Sequence, residues 1–311
     1  MRLAITGSNG FIGHTLSRVL KNHFSEIRRL VRSERNNSLD TFSIGNISSE
    51  TNWTKALEGI DCVIHCAGIA HNKPKLNNQN ISSYEEVNVQ GTINLAEQAV
   101  KSGVKKLIFL SSLKVNGDIN QESKPFTEKN IPNPKGKYAL SKWLAEKSLR
   151  EVESTSDLDL IILRLPLVYG PGVKANFFNL VRAVSMGVPM PLGSLDNKRS
   201  FISVDNLADI LIACIKEQDA RGKTFLVSDD SDISTSQLIE SIAGLMNKPS
   251  RLFYVPKNIL YLGGLLSNKQ DMVRSLVDSL QVDISYTKKI LKWQPQYSFE
   301  DGLKKVIDSA L

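Results

Sequence analysis

The stretch Met1-Arg-Leu-Ala-Ile-Thr-Gly-Ser-Asn-Gly-Phe-Ile-Gly13 decides the fold of this chain. Leu3 to Thr6 is short and apolar, which predicts a buried strand, and from Phe11 to Leu20 the apolar residues recur at helical spacing. Between them stand three glycines in the order G-x-x-G-x-x-G: Gly7, Gly10 and Gly13. In a dinucleotide-binding turn, such glycines let the backbone turn, approach a pyrophosphate and pack the helix on the strand. An ordinary glycine turn between a strand and a helix is the alternative.

Strands and helices alternate along the residues that follow, as they do in a doubly wound parallel sheet. Later strands are predicted at 26–31, 41–44, 61–66, 105–110 and 160–164, with long helices at 84–102 and up to residue 152. We therefore expect an α/β Rossmann sheet that binds ligands at the carboxyl ends of its strands, and a smaller mixed C-terminal domain for the substrate. The predicted boundary divides residues 1–165 from 166–311, with about 200–217, a strand and a helix capped at Asp205, returning to the sheet.

The end of the second predicted strand bears on the choice of cofactor. Arg32 stands where a fold that binds NAD usually has an acid for the ribose 2′-hydroxyl, and Arg35 follows closely. An arginine can pair with a 2′-phosphate, so the sequence predicts NADP as the cofactor, with NAD as the alternative. Asn46 is expected near the adenine, and the small pair Ala67-Gly68 is expected to pass close to the cofactor. The polar segment 70–83 is predicted to form a loop over the site.

Polar residues after the fifth strand suit proton transfer to a substrate oxygen. Ser111 and Ser112 follow that strand, and Tyr138 and Lys142 lie one helical turn apart, so their side chains share a helix face. A lysine ammonium and a cationic nicotinamide would lower the pKa of Tyr138 towards neutrality, while a serine hydroxyl could bind the substrate oxygen. A Tyr-x-x-x-Lys pair alone is common on helix surfaces, and its weight comes from the serines and the glycine turn in this order.

These motifs resemble the extended short-chain dehydrogenase/reductase family, specifically its nucleotide-sugar epimerases, dehydratases and reductases. Four further stretches carry the resemblance: His65-Cys-Ala-Gly68, Asn88-Val-Gln-Gly-Thr92, Leu163-Arg-Leu-Pro-Leu-Val-Tyr-Gly-Pro171 and Arg199-Ser-Phe-Ile-Ser-Val-Asp205. It implies that Ser112, Tyr138 and Lys142 are catalytic and that Ser111 lies beside the cofactor. With the glycine turn and the strand ends, the cofactor-binding residues are then Gly7, Asn9, Gly10, Phe11, Ile12, Gly13, Arg32, Asn46, Ala67, Gly68, Ser111, Tyr138 and Lys142.

The same resemblance assigns residues that would bind the substrate. It implies that Asn176 binds the UDP portion and that Arg199 is directed at the diphosphate, where a planar guanidinium can hold two phosphate oxygens. Arg274 is a second candidate for that contact, and Ser112 and Lys114 complete the predicted substrate-binding set. Surface charges with no ligand are the alternative for the residues of the C-terminal half. One departure from the family pattern is Asn116, where the family usually has tyrosine.

The resemblance implies an oxidoreductase that acts at C4 of a UDP-sugar. NADPH-dependent reduction of a UDP-4-keto-6-deoxy-N-acetylhexosamine is favoured, because Arg32 indicates NADP and residues 111–117 are similar to a subgroup encoded with O-antigen and capsule pathways, which belong to surface polysaccharide and lipopolysaccharide biosynthesis. The main alternative is a UDP-glucose or UDP-N-acetylglucosamine 4-epimerase with tightly bound NAD. A dehydratase is less supported, because Leu113 and Lys114 occupy the places of its acid and base. A non-catalytic nucleotide-binding regulator would commonly lack the tyrosine or the lysine.

Composition argues against several other classes. The net charge of +7 and the pI near 9.2 come from scattered lysines and arginines, which suit an anionic substrate and cofactor better than a nucleic acid. The three cysteines are typical of a reduced cytosol, and neither they nor the four histidines show metal-ligand spacing. The longest apolar run, 259–266, is too short to span a bilayer, so we expect a cytoplasmic protein without membrane insertion. The sequence leaves the oligomeric state open, a homodimer being one option.

Overall fold

A computed structural model describes residues 1–33, 40–70, 82–121 and 124–310 of the chain. Its strands are β1 (Arg2–Thr6), β2 (Glu26–Val31), β3 (Thr41–Ser43), β4 (Cys62–His65), β5 (Lys106–Ser112), β6 (Asp159–Leu165), β7 (Leu167–Tyr169), β8 (Phe201–Ser203) and β9 (Lys223–Leu226). Seven of them form one parallel sheet in the order β3-β2-β1-β4-β5-β6-β9. The predicted doubly wound parallel sheet is therefore confirmed, and each strand predicted in it lies within two residues of the observed one.

The central strands are apolar on both faces, which explains why helices cover both sides of the sheet. Every residue of β4 and β5 is buried. The helices are α1 (Phe11–Val19), α2 (Thr54–Leu57), α3 (Ser82–Tyr84), α4 (Gly91–Lys101), α5 (Gly136–Ser154), α6 (Ala175–Ser185), α7 (Val204–Lys216), α8 (Thr235–Leu245), α9 (Lys257–Leu266), α10 (Gln270–Val277), α11 (Ser285–Leu291) and α12 (Phe299–Ala310). The long helix predicted at 84–102 is divided, because a π-helical turn, Glu85–Gln90, separates α3 from α4.

Residues beyond 165 also contribute to the main sheet and to the apolar cluster packed on it. Strand β9 pairs with β6 at the edge of the main sheet, and Leu207 and Leu211 of α7 are buried in the same apolar cluster as Leu3 and Leu16. The predicted cap at Asp205 is wrong: α7 begins after Ser203, whose hydroxyl accepts a hydrogen bond from the Asn206 N–H at 3.1 Å. A serine before the first helical residue reaches an N–H that Asp205, already inside the first turn, does not. The boundary at residue 165 stays a prediction.

A second apolar cluster lies among the C-terminal elements. Its aromatic centre is Tyr169, Phe177, Phe201 and Phe299, with β7 and β8 forming a separate parallel pair. The glycine turn joins the two clusters, because Phe11 packs against the C-terminal cluster and the adjacent Ile12 packs against the cluster on the main sheet. The carboxyl end of β1 thus lies where the two packed bodies meet.

Candidate functional site

The glycine turn after β1 has the close backbone contacts that only glycine permits. Gly7 has φ of 67°, and a Cβ on Gly13 would lie 2.4 Å from the Gly7 carbonyl oxygen. A Cβ on Gly7 would also lie 3.0 Å from the backbone of Ala67, so the turn and the end of β4 are pressed together. Asn9 and Gly10 are exposed at the tip of the turn, where α1 begins at Phe11. This shape fits a dinucleotide pyrophosphate held at the N-terminus of α1.

A buried histidine connects the ends of β1 and β4 to α4. Thr6 Oγ1 accepts hydrogen bonds from the N–H groups of Cys66 and Ala67, both at 3.1 Å, and lies 2.7 Å from His65 Nδ1. His65 Nε2 lies 3.0 Å from Thr92 Oγ1. Since the Thr92 hydroxyl donates to the Asn88 carbonyl at 2.8 Å, it accepts from Nε2–H, and Nδ1 in turn accepts from Thr6. Burial, with the nearby Lys142 charge, lowers the pKa of His65 to about 3, so the ring stays neutral.

The structure brings the predicted catalytic side chains together at the carboxyl end of β5. Ser112 is the last residue of β5, and its side chain lies close enough to that of Tyr138 on α5 to influence the pKa of the phenol. The expected lowering of the Tyr138 pKa is not found in the protein itself. Burial raises the pKa of the phenol, and the hydrogen bond with Ser112 only reduces that rise. The proton therefore stays on Tyr138 and is available for donation to a bound oxyanion.

Lys142 lies one turn further along α5, beside the predicted cofactor residue Gly68. Its ammonium lies 4.2 Å from the centre of the Phe109 ring, and a Cβ on Gly68 would be 3.8 Å from Lys142 Nζ. Burial lowers the pKa of Lys142 to about 8, although the Glu146 carboxylate opposes the change. At neutral pH the lysine remains mostly protonated, so a buried positive charge lies beside Gly68, on the helix that carries Tyr138 one turn earlier.

Asn88 holds α5 against the backbone after β4. Its Oδ1 accepts from the Ile69 N–H at 2.8 Å, and its Nδ2 donates to the Ile69 carbonyl at 3.0 Å and to Ser141 Oγ at 2.9 Å. The Ser141 hydroxyl donates to the Tyr138 carbonyl at 2.8 Å. Sequence reasoning quoted Asn88 only as part of a motif and missed this role. The signal was available, because a polar residue within an apolar helix face needs buried partners.

A buried ion pair lies behind the serines. Glu146 Oε2 accepts from Arg164 Nη2 at 2.6 Å, and Glu146 Oε1 accepts from the Ser111 hydroxyl at 2.5 Å. Arg164 Nη1 also donates to Asn116 Oδ1 at 3.0 Å, so the residue that departs from the family pattern has a buried partner. The Ser111 side chain is thus directed into the protein, and a contact between Ser111 and the cofactor stays a prediction. Sequence reasoning missed both members of the ion pair.

The other predicted cofactor residues lie at the exposed end of the sheet. Arg32 and Asn46 are exposed, and the Ser43 hydroxyl donates to the Arg32 carbonyl at 3.2 Å. Asn9 Oδ1 accepts from Arg29 Nη2 at 3.2 Å, which adds an arginine that sequence reasoning missed. Arg35 and residues 71–81 of the predicted loop lie outside the described residues. The cofactor roles of these side chains stay predictions.

The predicted substrate residues are more dispersed. Lys114 is exposed with Nζ 3.7 Å from Asp118, and Asn176 is exposed in the first turn of α6. Arg199 is half-buried and donates to the Asp278 carbonyl at 2.8 Å, and burial lowers the pKa of its guanidinium. Arg274, exposed on α10, lines a cavity of about 500 Å³ that Asp278 also borders. Arg199 and Arg274 are therefore near the same residue, whereas their ligand stays a prediction.

The described part of the chain has neither a cluster of metal-binding side chains nor a membrane-spanning helix. No group of three or more His, Cys, Asp or Glu side chains there could hold a metal ion. Within the same ranges, no helix is both long and apolar enough to cross a bilayer.

Comparison with known proteins agrees with this geometry. The model of the NAD dependent epimerase/dehydratase family matches residues 3–228. A UDP-glucose 4-epimerase from Vibrio cholerae is 40% identical over 99% of this chain and 95% of its own length. From Escherichia coli O157:H7, N-acetyl-alpha-D-glucosaminyl-diphospho-ditrans,octacis-undecaprenol 4-epimerase is 28% identical over 84% of this chain and 77% of its own.

A solved structure is similar over the whole chain. The UDP-glucuronic acid 4-epimerase from Bacillus cereus, in complex with NAD, superposes with a TM-score of 0.79 at 20% identity and covers 100% of this chain and 98% of its own. That likeness shows the fold, while the family match covers most of the chain, including the glycine turn, Ser112, Tyr138 and Lys142. The resemblance to the extended short-chain dehydrogenases/reductases is confirmed, and this chain belongs to the NAD dependent epimerase/dehydratase family.

Proposed function

We propose that this protein interconverts the C4 epimers of a UDP-linked hexose, such as UDP-glucose or UDP-N-acetylglucosamine. The observation that carries the proposal is the 40% identity to a UDP-glucose 4-epimerase over 99% of the chain. Such a reaction needs a serine and a tyrosine whose side chains interact and a lysine on the same helix face as the tyrosine, and Ser112, Tyr138 and Lys142 provide these groups. The sequence favoured the reductase, and the near full-length likeness to an epimerase supports the alternative, which we therefore propose first.

A nicotinamide dinucleotide fits the residues around the glycine turn. The backbone at the start of α1 can be approached closely, because Gly7, Gly10 and Gly13 have no side chains. A second stretch with small residues, Ala67-Gly68, lies beside Lys142. When bound, the cofactor would take a hydride from C4 of the sugar and return it to the other face. We propose NAD for the epimerase, since a cofactor that is regenerated within each turnover need not be exchanged.

The protein's own residues would move the proton. In the first half-reaction Tyr138 takes the proton of the C4 hydroxyl, and in the second Tyr138 returns it to the developing alkoxide. Ser112 donates a hydrogen bond to the same oxygen. Because burial raises the pKa of Tyr138, we propose that the phenolate that accepts this proton would form only with help from two positive charges, that of Lys142 and that of a bound oxidised nicotinamide. The proposed contacts to the nucleotide diphosphate and the sugar are Arg199, Arg274, Asn176 and the exposed Lys114.

A second function is favoured by Arg32. This exposed side chain at the end of β2 suits a 2′-phosphate, and net reduction of a 4-keto-6-deoxy sugar for surface polysaccharide would use NADPH. Cytoplasmic location and a homodimer stay predictions under either proposal.

One experiment separates the two functions. The purified protein is incubated with UDP-N-acetylglucosamine or UDP-glucose without added cofactor, and separately with a UDP-4-keto-6-deoxy-N-acetylhexosamine and NADPH. We expect the C4 epimer in the first mixture and dinucleotide that remains bound through purification. Consumption of NADPH with the keto-sugar, together with no epimer in the first mixture, would support the reductase instead. The Tyr138→Phe variant is the control in both arms, because it removes the proposed acid and base without changing the helix.

A further inference from the structure

The α9 helix and the segments around it expose an unusual amount of apolar surface. Ile259 is 56% exposed, Leu262 54% and Leu266 79%, and their spacing places them along one face of α9. Eight large apolar or aromatic side chains between residues 253 and 272 are exposed: Phe253, Tyr254, Ile259, Tyr261, Leu262, Leu265, Leu266 and Met272. An apolar patch of this extent marks an interaction surface rather than ordinary solvent-facing residues.

The charges along the same segment are mostly positive. Residues 246–275 contain five basic side chains and one acidic one, Asp271. The basic residues are Lys248, Arg251, Lys257, Lys269 and Arg274. Lys257 is paired with Asp196 at 2.5 Å, whereas Lys269 and Arg274 are exposed at the far end of α9 and on α10. Apolar side chains bordered by lysine and arginine, with tyrosines among them, are typical of a surface that meets anionic lipid.

The patch is held in place by specific contacts. Gly264 is the buried residue of α9, and a Cβ there would lie 2.8 Å from Val273, so the helix packs closely on α10. The Tyr261 hydroxyl donates to Asp278 at 2.5 Å, and the Lys269 N–H donates to the Gly264 carbonyl at 2.8 Å. These contacts keep α9 on the body of the protein, with its apolar side chains directed outward in the folded state.

From these observations we propose that α9, with its flanking residues 253–256 and 267–274, docks the protein on the surface of an anionic lipid bilayer. The ten residues of α9 are about 15 Å long, half the thickness of the hydrocarbon core, so the helix would lie in the interface and not cross it. A second copy of the chain suits the patch less well. A symmetric contact would bring two copies of the same net-positive patch together, and like charges oppose each other across an interface.

Docking on this face would bring the proposed substrate-binding half close to the lipid. Tyr261 and Leu265 of α9 and Arg274 of α10 line the same cavity of about 500 Å³. This inference goes beyond the proposed function and does not require it, because lipid binding is measured without any sugar substrate.

The test measures co-sedimentation of the full chain with vesicles of phosphatidylcholine alone, and of phosphatidylcholine with an equal part of phosphatidylglycerol. We expect binding to the anionic vesicles that weakens as salt is added. Leu262→Ser combined with Leu266→Ser should lower the partition coefficient at least about tenfold, because two exposed apolar side chains no longer enter the interface. Lys269→Gln should lower it about fivefold on anionic vesicles only.

The matched control is Ile131→Ser, which removes an apolar side chain that is 86% exposed outside the patch. It should bind vesicles like the unchanged protein, and all three variants should turn over a soluble UDP-sugar at the same rate. Equal binding to neutral vesicles, or full binding by the double leucine variant, would overturn the proposal. So would a lack of vesicle binding together with a dimer that the double leucine variant dissociates, since α9 would then join two copies of the chain.

Discussion

Glu146→Gln tests the buried ion pair that supports the candidate site. Glu146 and Arg164 have side-chain exposures of 2% and 6%, and their closest oxygen–nitrogen distance is 2.6 Å. Glutamine keeps the shape and an acceptor oxygen but removes the charge, so the guanidinium of Arg164 stays buried without a counter-ion. Removing one partner of a buried pair costs about 3–5 kcal/mol of the free energy of unfolding. At roughly 2 °C per kcal/mol for a chain of this size, the melting temperature should fall by about 6–10 °C.

The matched control for this prediction lies on the same helix. Glu153 pairs with Arg150 at 2.7 Å, but the two side chains are 20% and 32% exposed. Glu153→Gln should therefore change the free energy of unfolding by less than about 1 kcal/mol. Urea unfolding followed by circular dichroism, with the slope compared between proteins, measures both changes.

A third variant shows whether charge or shape is responsible. Replacing both Glu146 and Arg164 by methionine leaves no unpaired charge, so this variant should be more stable than Glu146→Gln. Equal stability of Glu146→Gln and Glu153→Gln would refute the reasoning, because it would mean that the buried Arg164 charge needs no partner.

The remaining predictions concern the turn, the histidine and the tyrosine. Tyr138→Phe should lower turnover at least about a hundredfold with an unchanged melting temperature, and near-normal kcat would exclude Tyr138 from the chemistry. His65 has a folded-state pKa of about 3 against about 6.5 when unfolded, so the protein should lose stability as the pH falls between these values, by about 1.4 kcal/mol per unit from this group. Chemical denaturation of His65→Gln should lack that part of the pH dependence, and an identical profile would contradict the assignment. Gly13→Ala should unfold at lower urea and lose dinucleotide binding, since its Cβ would lie 2.4 Å from the Gly7 oxygen; unchanged binding in an equilibrium titration would count against the tight turn.

The sequence by itself determined the sheet and the parts of the site that depend on short stretches of chain. The strand, glycine turn and helix of residues 1–20 were predicted correctly, because a short apolar run, helical spacing of apolar residues and the freedom of glycine are local properties. Tyr138 and Lys142 share a helix face for the same reason, since one turn of α5 separates them. Ser112 lies where the sequence predicted it, at the carboxyl end of β5, because the apolar run before it forms the strand.

Only the tertiary structure decided the contacts between residues that are distant in sequence. His65 bonds Thr6 across 59 residues and Thr92 across 27, and Glu146 meets Arg164 from a different element. No local pattern encodes such pairs, because each partner is an ordinary polar residue until burial removes water and makes a hydrogen bond obligatory. The protein's own effect on the pKa of Tyr138 also depends on the tertiary structure, because burial, which no spacing reveals, raises this pKa. The sequence showed only that the apolar run 259–266 is too short to span a bilayer, and the packing of the other elements is what leaves α9 exposed.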